Sequence, residues 1–362
     1  GVFPHRGPAP GCCAVVHTAS SLFSDPDPVA ALNSSATHRQ INSPEDIKQR
    51  SGLEVPPLLL PDPGKLFAER ALRLRQLAAG HAMRDYLMLM AVVCEAQHAR
   101  LQQYPEVTLP DAAQAAAAGE SGEPLLAAEH WPRAAQWRTE LRALLRQVLD
   151  KLPGDSPARA GVQAVMALPD AALEQQADRL LAGITLGLDL AAAPLVAAGL
   201  QLYFTHLVAA TGAARPQAFQ VPPDATRCPC CASLATASIT RVGGQQDGQR
   251  YLHCALCSAQ WHMNRIQCTH CLATQGIHYQ SLQALADDKP SAQRAAVEAE
   301  TCDGCHHYLK TLHVARDLHV EPLADDLATL TLDLLVSEAG FERHGVNLLL
   351  LFGDGDAQAG GD

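Results

Sequence analysis

Apolar side chains recur at helical spacing over the first half of the chain. Asp62 is a typical N-cap residue, and Leu66 and Leu74 fall on one face of the helix that follows. The same spacing predicts further helices, at about residues 85–103, 134–151, 157–167, 171–184 and 191–211. The Ala- and Gly-rich stretch 111–124 is interpreted as a connection. Together these patterns predict an α-helical domain over residues 56–215.

After residue 222 the apolar period changes from that of helices to that of strands. Short alternating segments predict strands, at about residues 235–242, 250–254, 259–267, 277–282 and 308–314. The glycine-rich stretch 243–248 is a turn, so the strands on either side of it form a hairpin. A short helix is predicted at 323–335. The predicted fold class is therefore α+β, an N-terminal α-helical domain followed by two small β modules of the ribbon type.

The same patterns divide the chain into five parts. Residues 1–55 are rich in Pro, Ser, Ala and Asp without a sustained period, and we expect a disordered extension there. The helical domain covers 56–215, and the β modules cover 224–267 and 268–320. Residues 321–362 are predicted to form a C-terminal helix and a flexible tail. At 362 residues the chain is long enough for separate domains, each with its own core.

Composition and charge exclude several classes of protein. The formal net charge is −11, which argues against a general nucleic-acid binder. Between residues 228 and 319, seven Lys and Arg residues balance seven Asp and Glu residues, whereas a ribbon that grips phosphate is basic. No apolar run reaches the length that spans a bilayer, and no N-terminal signal segment is visible. We therefore expect neither membrane insertion nor export.

Eight of the 12 cysteines form four C-x-x-C pairs within 78 residues. The pairs are Cys228/Cys231, Cys254/Cys257, Cys268/Cys271 and Cys302/Cys305. A spacing of two residues lets both thiolates converge on one point across a tight turn, which we call a knuckle. Two knuckles supply the four soft ligands of a tetrahedral S4 site. The four knuckles therefore predict two metal sites.

Loop lengths favour one way of pairing the knuckles. Pairing the first with the second and the third with the fourth leaves 22 and 30 residues between them, enough for a hairpin in each case. Pairing the second with the third leaves 10 residues and forces the outer knuckles to close a much longer loop. Cys230, inside the first knuckle, is interpreted as a bystander because its neighbours keep the two-residue spacing. The predicted groups are Cys228, Cys231, Cys254 and Cys257, and Cys268, Cys271, Cys302 and Cys305.

Other uses of these cysteines fit less well. An oxidised C-x-x-C closes a very short loop, and a thioredoxin-like redox motif needs a βαβ context that these short strands do not supply. Histidines could replace a thiolate, but eight well-spaced cysteines leave them as neighbours of the sites or surface groups. They include His253, His262, His270, His306 and His307. Zinc and iron both take tetrahedral S4 sites, so the residues alone do not choose the metal.

The helical domain shows no catalytic constellation in its sequence. Glu95, His98 and Arg100 are interpreted as a solvated polar face of one helix. Cys94 is interpreted as a core residue because no partner lies near it in sequence. We therefore expect that the protein is not an enzyme. The residues leave two function classes open for such a protein. It could be an iron redox or electron-transfer protein, or a structural zinc-ribbon binding module.

Four stretches of the chain resemble the FdhE family, the formate dehydrogenase accessory proteins. They are Pro56-Pro57-Leu58-Leu59 leading to Arg73-Leu74-Arg75-Gln76-Leu77; Arg250-Tyr251-Leu252-His253-Cys254-Ala255-Leu256-Cys257; Trp261-His262 through Arg265 to Cys268-Thr269-His270-Cys271; and Cys302-Asp303-Gly304-Cys305 followed by Tyr308-Leu309-Lys310. Ala324-Asp325-Asp326-Leu327-Ala328 extends the resemblance towards the C-terminus.

The resemblance implies more than the residues do on their own. Family members combine an N-terminal helical domain with two rubredoxin-like modules, are cytoplasmic and bind iron through their C-x-x-C pairs. It therefore implies two mononuclear iron sites and a maturation factor that binds the catalytic subunit of a respiratory formate dehydrogenase. This chain departs from the family pattern Cys-Pro-x-Cys-Gly in the first knuckle, which reads Cys228-Pro229-Cys230-Cys231-Ala232. Residues 1–55 have no family counterpart.

Overall fold

A computed structural model describes residues 55–283 and 295–351, together with the backbone of residues 15–19. The predictions for residues 1–55 and for the tail fall largely outside the described residues. The helices of the described residues are α1 (Leu66–Ala78), α2 (Arg84–Leu101), α3 (Ala112–Ser121), α4 (Gln136–Lys151), α5 (Ala158–Ala167), α6 (Asp170–Leu181), α7 (Ala193–Ala214), α8 (Pro322–Ala328) and α9 (Leu330–Glu338).

Helices α1 to α7 form one helical region, residues 66–214, in which α7 is the core helix. This helix packs against α2, α4, α5 and α6. Gly199 lets α7 approach α4 closely, because a Cβ there would lie 2.9 Å from the Cβ of Leu141. By length and composition α7 is the one helix of the described residues that could cross a membrane, which corrects the expectation that no apolar run is long enough. However, 83% of its apolar window is buried within the fold, as in a soluble protein.

The strands of the described residues join into one sheet. They are β1 (Val15–Ala19), β2 (Leu58–Leu59), β3 (Ala235–Thr240), β4 (Arg250–Cys254), β5 (Gln260–Met263), β6 (Ile277–Gln283), β7 (Val297–Cys302), β8 (His307–His313) and β9 (Glu342–Arg343). Their order is β1-β6-β7-β8-β3-β4-β5-β2, with β9 beside β8. The predicted hairpin is confirmed, since β3 and β4 pair antiparallel.

The two halves of the sheet, each with two knuckles, meet where β3 lies parallel to β8. Across this joint the hydroxyls of Ser238 and Thr311, both buried, share a hydrogen bond of 2.7 Å. A parallel pair needs a long connection between its strands, so the spacing of strands along the chain did not predict this joint. The two halves are thus fastened by backbone hydrogen bonds as well as by the segment between their knuckles.

Several elements differ from those predicted. The stretch interpreted as a connection contains α3, which begins with a capping box between Asp111 and Gln114. Strand β7 was not predicted, because its sequence mixes Val and Ala with Glu and Thr. The single helix predicted at 323–335 is divided into α8 and α9, and the break falls at Thr329. The predicted α+β class is confirmed.

The core of the helical region is not separate from that of the sheet. One continuous apolar cluster includes Phe67 of α1 and Phe204 of α7, and it extends to Trp261 of β5 and to the first two knuckles. A smaller cluster lies between the sheet and α9, around Tyr251 and Leu332. The expectation that each domain has its own core is therefore wrong for the helical region and the first half of the sheet.

Candidate metal centres

The four knuckles share one backbone conformation. The residue after each second cysteine has a positive φ, and its N–H donates to the carbonyl oxygen of the first cysteine at 2.9–3.0 Å. These residues account for four of the five non-glycine residues with positive φ in the described part of the chain. They are Ala232 (66°), Ser258 (60°), Leu272 (64°) and His306 (57°). This left-handed turn brings both sulfurs of a knuckle to one side.

Backbone N–H groups also point at the sulfurs. The N–H of Cys257 donates to Sγ of Cys254 at 3.5 Å. In the third knuckle, the N–H groups of His270 and Cys271 donate to Sγ of Cys268 at 3.4 and 3.5 Å. Hydrogen bonds of this kind favour the charged form of sulfur, which is the form that binds metal.

The left-handed turn explains what glycine would do after the first knuckle. Ala232→Gly removes the steric cost of a Cβ at φ 66° and should raise the free energy of unfolding by about 1 kcal/mol. Urea unfolding of the metal-loaded protein measures this. Ala273→Gly is the matched control, because Ala273 is also half-buried but does not have a positive φ. Equal changes in both variants would contradict a role for backbone strain.

The first group consists of Cys228, Cys231, Cys254 and Cys257, whose sulfurs lie within 4.8 Å of one another. The sulfurs of Cys228 and Cys257 are 3.5 Å apart, and so are those of Cys231 and Cys254. A tetrahedral site with metal–sulfur distances of about 2.3 Å has sulfurs about 3.8 Å apart, whereas a disulfide bond is about 2.0 Å long. The predicted pairing of the first two knuckles is confirmed, and the spacing fits one metal ion.

The second group consists of Cys268, Cys271, Cys302 and Cys305, and its sulfurs also lie within 4.8 Å of one another. Cys268 and Cys305 are 3.6 Å apart at their sulfurs, and Cys271 and Cys302 are 3.7 Å apart. The predicted pairing of the third and fourth knuckles is therefore confirmed as well. Among the described residues, the groups able to hold a metal ion contain cysteines and no histidine.

The electrostatics of the first group fit a cation. Burial raises the pKa of Cys228, Cys231 and Cys257. Burial opposes ionisation of Cys254 too, but hydrogen bonds from the three neighbouring thiols hold its pKa well below the ordinary value. Four buried thiolates would repel one another, so they need a soft divalent cation to compensate their charge. The donor set suits zinc and iron alike.

Cys230 lies beside the first group but outside its four sulfurs. Burial raises the pKa of its thiol, but hydrogen bonds from Cys228 and Cys257 outweigh that effect and lower the pKa to about 7. Its carbonyl oxygen accepts a hydrogen bond from the N–H of Leu126 at 3.0 Å. The thiol of Cys230 is therefore in hydrogen-bond contact with the first group, although the two-residue spacing assigned the metal to Cys228 and Cys231.

The two groups differ sharply in exposure. In the first, Cys228, Cys254 and Cys257 are 0% exposed and Cys231 is 1% exposed. Residues 126–128 lie over the first knuckle, where the N–H of Ala128 donates to the carbonyl oxygen of Cys231 at 2.9 Å. The second knuckle contacts α7, since Nε2 of Gln201 donates to the carbonyl oxygen of Ala255 at 2.7 Å. The helical region thus seals the first group.

The second group lies at the surface. Cys271 is exposed and Cys305 is half-buried, whereas Cys268 and Cys302 are buried. The ring of His270, inside the third knuckle, stacks on that of His307, the first residue of β8, with the two centroids 3.6 Å apart. A small cleft beside the group is lined in part by Cys268, Cys302 and these two histidines.

Two of the three polar residues singled out on α2, Glu95 and Arg100, form ion pairs with neighbouring helices, whereas Nδ1 of His98 is buried without a hydrogen-bond partner among the described residues. Arg100 donates to Glu140 at 2.8 Å, and Glu95 accepts from Arg75 at 2.8 Å and from Lys151 at 2.9 Å. Cys94 is 0% exposed, which confirms that it is a core residue. These pairs join α2 to α1 and α4, so they serve the fold.

Sequence reasoning missed a network of buried ion pairs that joins α1 and the sheet to the C-terminal helices. Nε of Arg70 donates to Glu321 at 2.9 Å, and Glu321 in turn accepts from the first N–H groups of α8. Nζ of Lys310 lies 3.1 Å from Asp326 and 2.6 Å from Asp333. Lys310 and Asp326 fall in stretches that carried the family resemblance, which was the available signal.

Comparisons with known proteins agree with this geometry over most of the chain. Family models match three consecutive parts, described as FdhE, N-terminal (residues 55–218), FdhE, central domain (227–265) and FdhE, C-terminal domain (266–350). The protein FdhE homolog of Cronobacter sakazakii is 34% identical over 313 residues, covering 86% of this chain and 96% of that protein. The homolog of Edwardsiella ictaluri is 37% identical over 312 residues, with 85% and 96% covered.

A solved structure is similar as well. The crystal structure of the FdhE protein from Pseudomonas aeruginosa superposes with a TM-score of 0.70 at 33% sequence identity. The match covers 83% of this chain and 100% of that one. The three family models, and relatives that are matched over most of their own length, agree with the resemblance found in the knuckles. The chain belongs to the FdhE family.

Proposed function

We propose that this protein is a non-enzymatic maturation factor that binds the catalytic subunit of a respiratory formate dehydrogenase in the cytoplasm. The observation that carries the proposal is the pair of four-cysteine groups in a chain of the FdhE family. Glu95 and Arg100, two of the three polar side chains of α2 considered for a catalytic cleft, are engaged in ion pairs with neighbouring helices. A large helical region accompanies the metal groups, which suits a protein that docks on a larger client.

Both groups are proposed to hold iron through the eight knuckle cysteines. Zinc fits the same sulfur spacing, and the preference for iron rests on the family. In an iron site, the N–H groups that point at Cys254 and Cys268 would tune the reduction potential. Metal analysis and an absorption spectrum of anaerobically purified protein separate the two ions, since S4-bound zinc has no visible charge-transfer bands.

Affinity capture tests the proposed partner. A tagged full-length chain is recovered from cells that express formate dehydrogenase, and we expect its catalytic subunit to be enriched. The tagged Cys94→Ala variant, which keeps all eight knuckle cysteines, should capture the client equally well. Capture of no catalytic subunit by the metal-loaded wild-type protein would refute the proposed role.

The exposure of Cys271 favours electron transfer as a second candidate function, because a surface metal can exchange electrons with a partner. A carrier would cycle between oxidised and reduced iron when the mature enzyme turns over formate. A maturation factor would instead be required before the enzyme becomes active and dispensable afterwards. Adding the purified protein to enzyme made without it, and to mature enzyme, distinguishes these roles.

A further inference from the structure

The unequal exposure of the two four-cysteine groups bears on how each holds its metal. The first group is covered by residues 126–128 and by α7, so a competing ligand reaches it after the shared core opens. In the second group Cys271 is exposed and Cys305 is half-buried. The sulfur spacing is nearly the same in both, with shortest distances of 3.5 Å and 3.6 Å, so ligand geometry does not distinguish them.

We infer that the two groups have divided roles: the first holds its ion permanently, and the second exchanges its ion with an external thiolate. This inference rests on the proposed function in that both groups carry metal. The recipient or donor would be a cysteine-containing metal site on another protein, because a thiolate is the ligand that can match the affinity of the group it competes with.

The exchange is a ligand substitution at the side where Cys271 faces solvent. An incoming thiol forms a metal–sulfur bond as the bond to Sγ of Cys271 breaks, and its proton passes to the departing Cys271 thiolate. No electron is transferred, so no oxidant or reductant is needed. Cys305 is the next ligand to leave, since it is also accessible. Cys268 and Cys302 are buried but line the cleft beside the group, so they can be released in turn.

Competition with a chelator tests the inference on the purified full-length protein. The chain is loaded with two equivalents of Zn²⁺, and excess 4-(2-pyridylazo)resorcinol is added while absorbance reports released zinc. We expect one equivalent to leave in a fast phase and the other to leave at least about 100-fold more slowly, because the slow release needs opening of the core. Glutathione should accelerate the fast phase alone.

Two variants assign the phases. Cys271→Ser and Cys305→Ser each alter the second group and should leave one equivalent of zinc, released in the slow phase. Far-UV circular dichroism verifies that they are folded. Release of both equivalents at one rate in the wild-type protein would overturn the inference, and so would a fast phase that persists in both variants. The assay contains no client, so its outcome is independent of the capture experiment.

Discussion

Cys257→Ser should unfold much of the protein, whereas Cys271→Ser should leave its helical signal close to that of the wild type. Both variants replace the second cysteine of a knuckle, so the chemical change is matched. A structural metal contributes folding free energy on the order of 10 kcal/mol, comparable to the whole stability of a typical domain. Cys257 belongs to the apolar cluster that includes Phe67 and Phe204, so loss of the first group opens the core of the helical region.

Far-UV circular dichroism and metal analysis of the two variants measure this difference. The Cys94→Ala variant controls for loss of a buried thiol that belongs to neither group, and we expect it to keep both equivalents of metal. Retention of the full helical signal by metal-depleted Cys257→Ser would show that the helical region folds without the first group. The shared apolar cluster would then not make folding of the helical region depend on the first group.

Lys310→Met should lower the free energy of unfolding by about 3–5 kcal/mol, because it removes one partner of a buried ion network. The side chain of Lys310 is 0% exposed, and that of Asp326 is 1% exposed. Methionine restores much of the volume but leaves Asp326 and Asp333 with one cation, Arg343, between them. Urea unfolding at neutral pH measures the change.

A surface ion pair offers the matched control. Lys151→Met removes the ion pair between Lys151 and Glu95, whose side chains are 45% and 30% exposed. It should lower the free energy of unfolding by between about 0 and 1 kcal/mol. If both substitutions cost the same, the buried network would contribute no more than a surface pair.

The same substitution of Lys310 should shift acid unfolding. Burial raises the pKa of Asp326, but Arg343 and Lys310 outweigh it and hold the pKa below the ordinary value. A carboxyl with a lowered folded pKa adds stability above its unfolded pKa of about 3.9, and that stability is lost as pH falls through the folded value. Without Lys310 the folded pKa rises, so acid unfolding followed by circular dichroism should begin at a higher pH.

The metal groups were predictable because their information is local. The C-x-x-C spacing fixes each knuckle, and the loop lengths between knuckles favour the pairing that the structure shows. The exposure of each group was not predictable, because the four knuckles look alike in sequence. What seals the first group is a segment about 100 residues earlier in the chain, where Leu126 and Ala128 donate to the knuckle backbone.

The elements that sequence patterns missed depend on distant partners in the same way. Strand β7 places Glu300 in the interior, where it pairs with Arg250 at 3.0 Å, so its alternation does not separate apolar from charged residues. The parallel joint between β3 and β8 leaves no mark in either strand. By contrast, α3 had a local signal in the Asp111–Gln114 capping box, which its Ala- and Gly-rich composition obscured.

The contact between Arg70 and Glu321 joins residues 251 positions apart, which has a consequence for the order of folding. Contacts this distant in sequence slow folding, since a long loop must close before they form. At a synthesis rate of about 5–20 residues per second, roughly ten seconds separate the completion of α7 from that of α8. The helical region is synthesised first, so part of its apolar surface stays exposed to chaperones on the ribosome until α8 has been made.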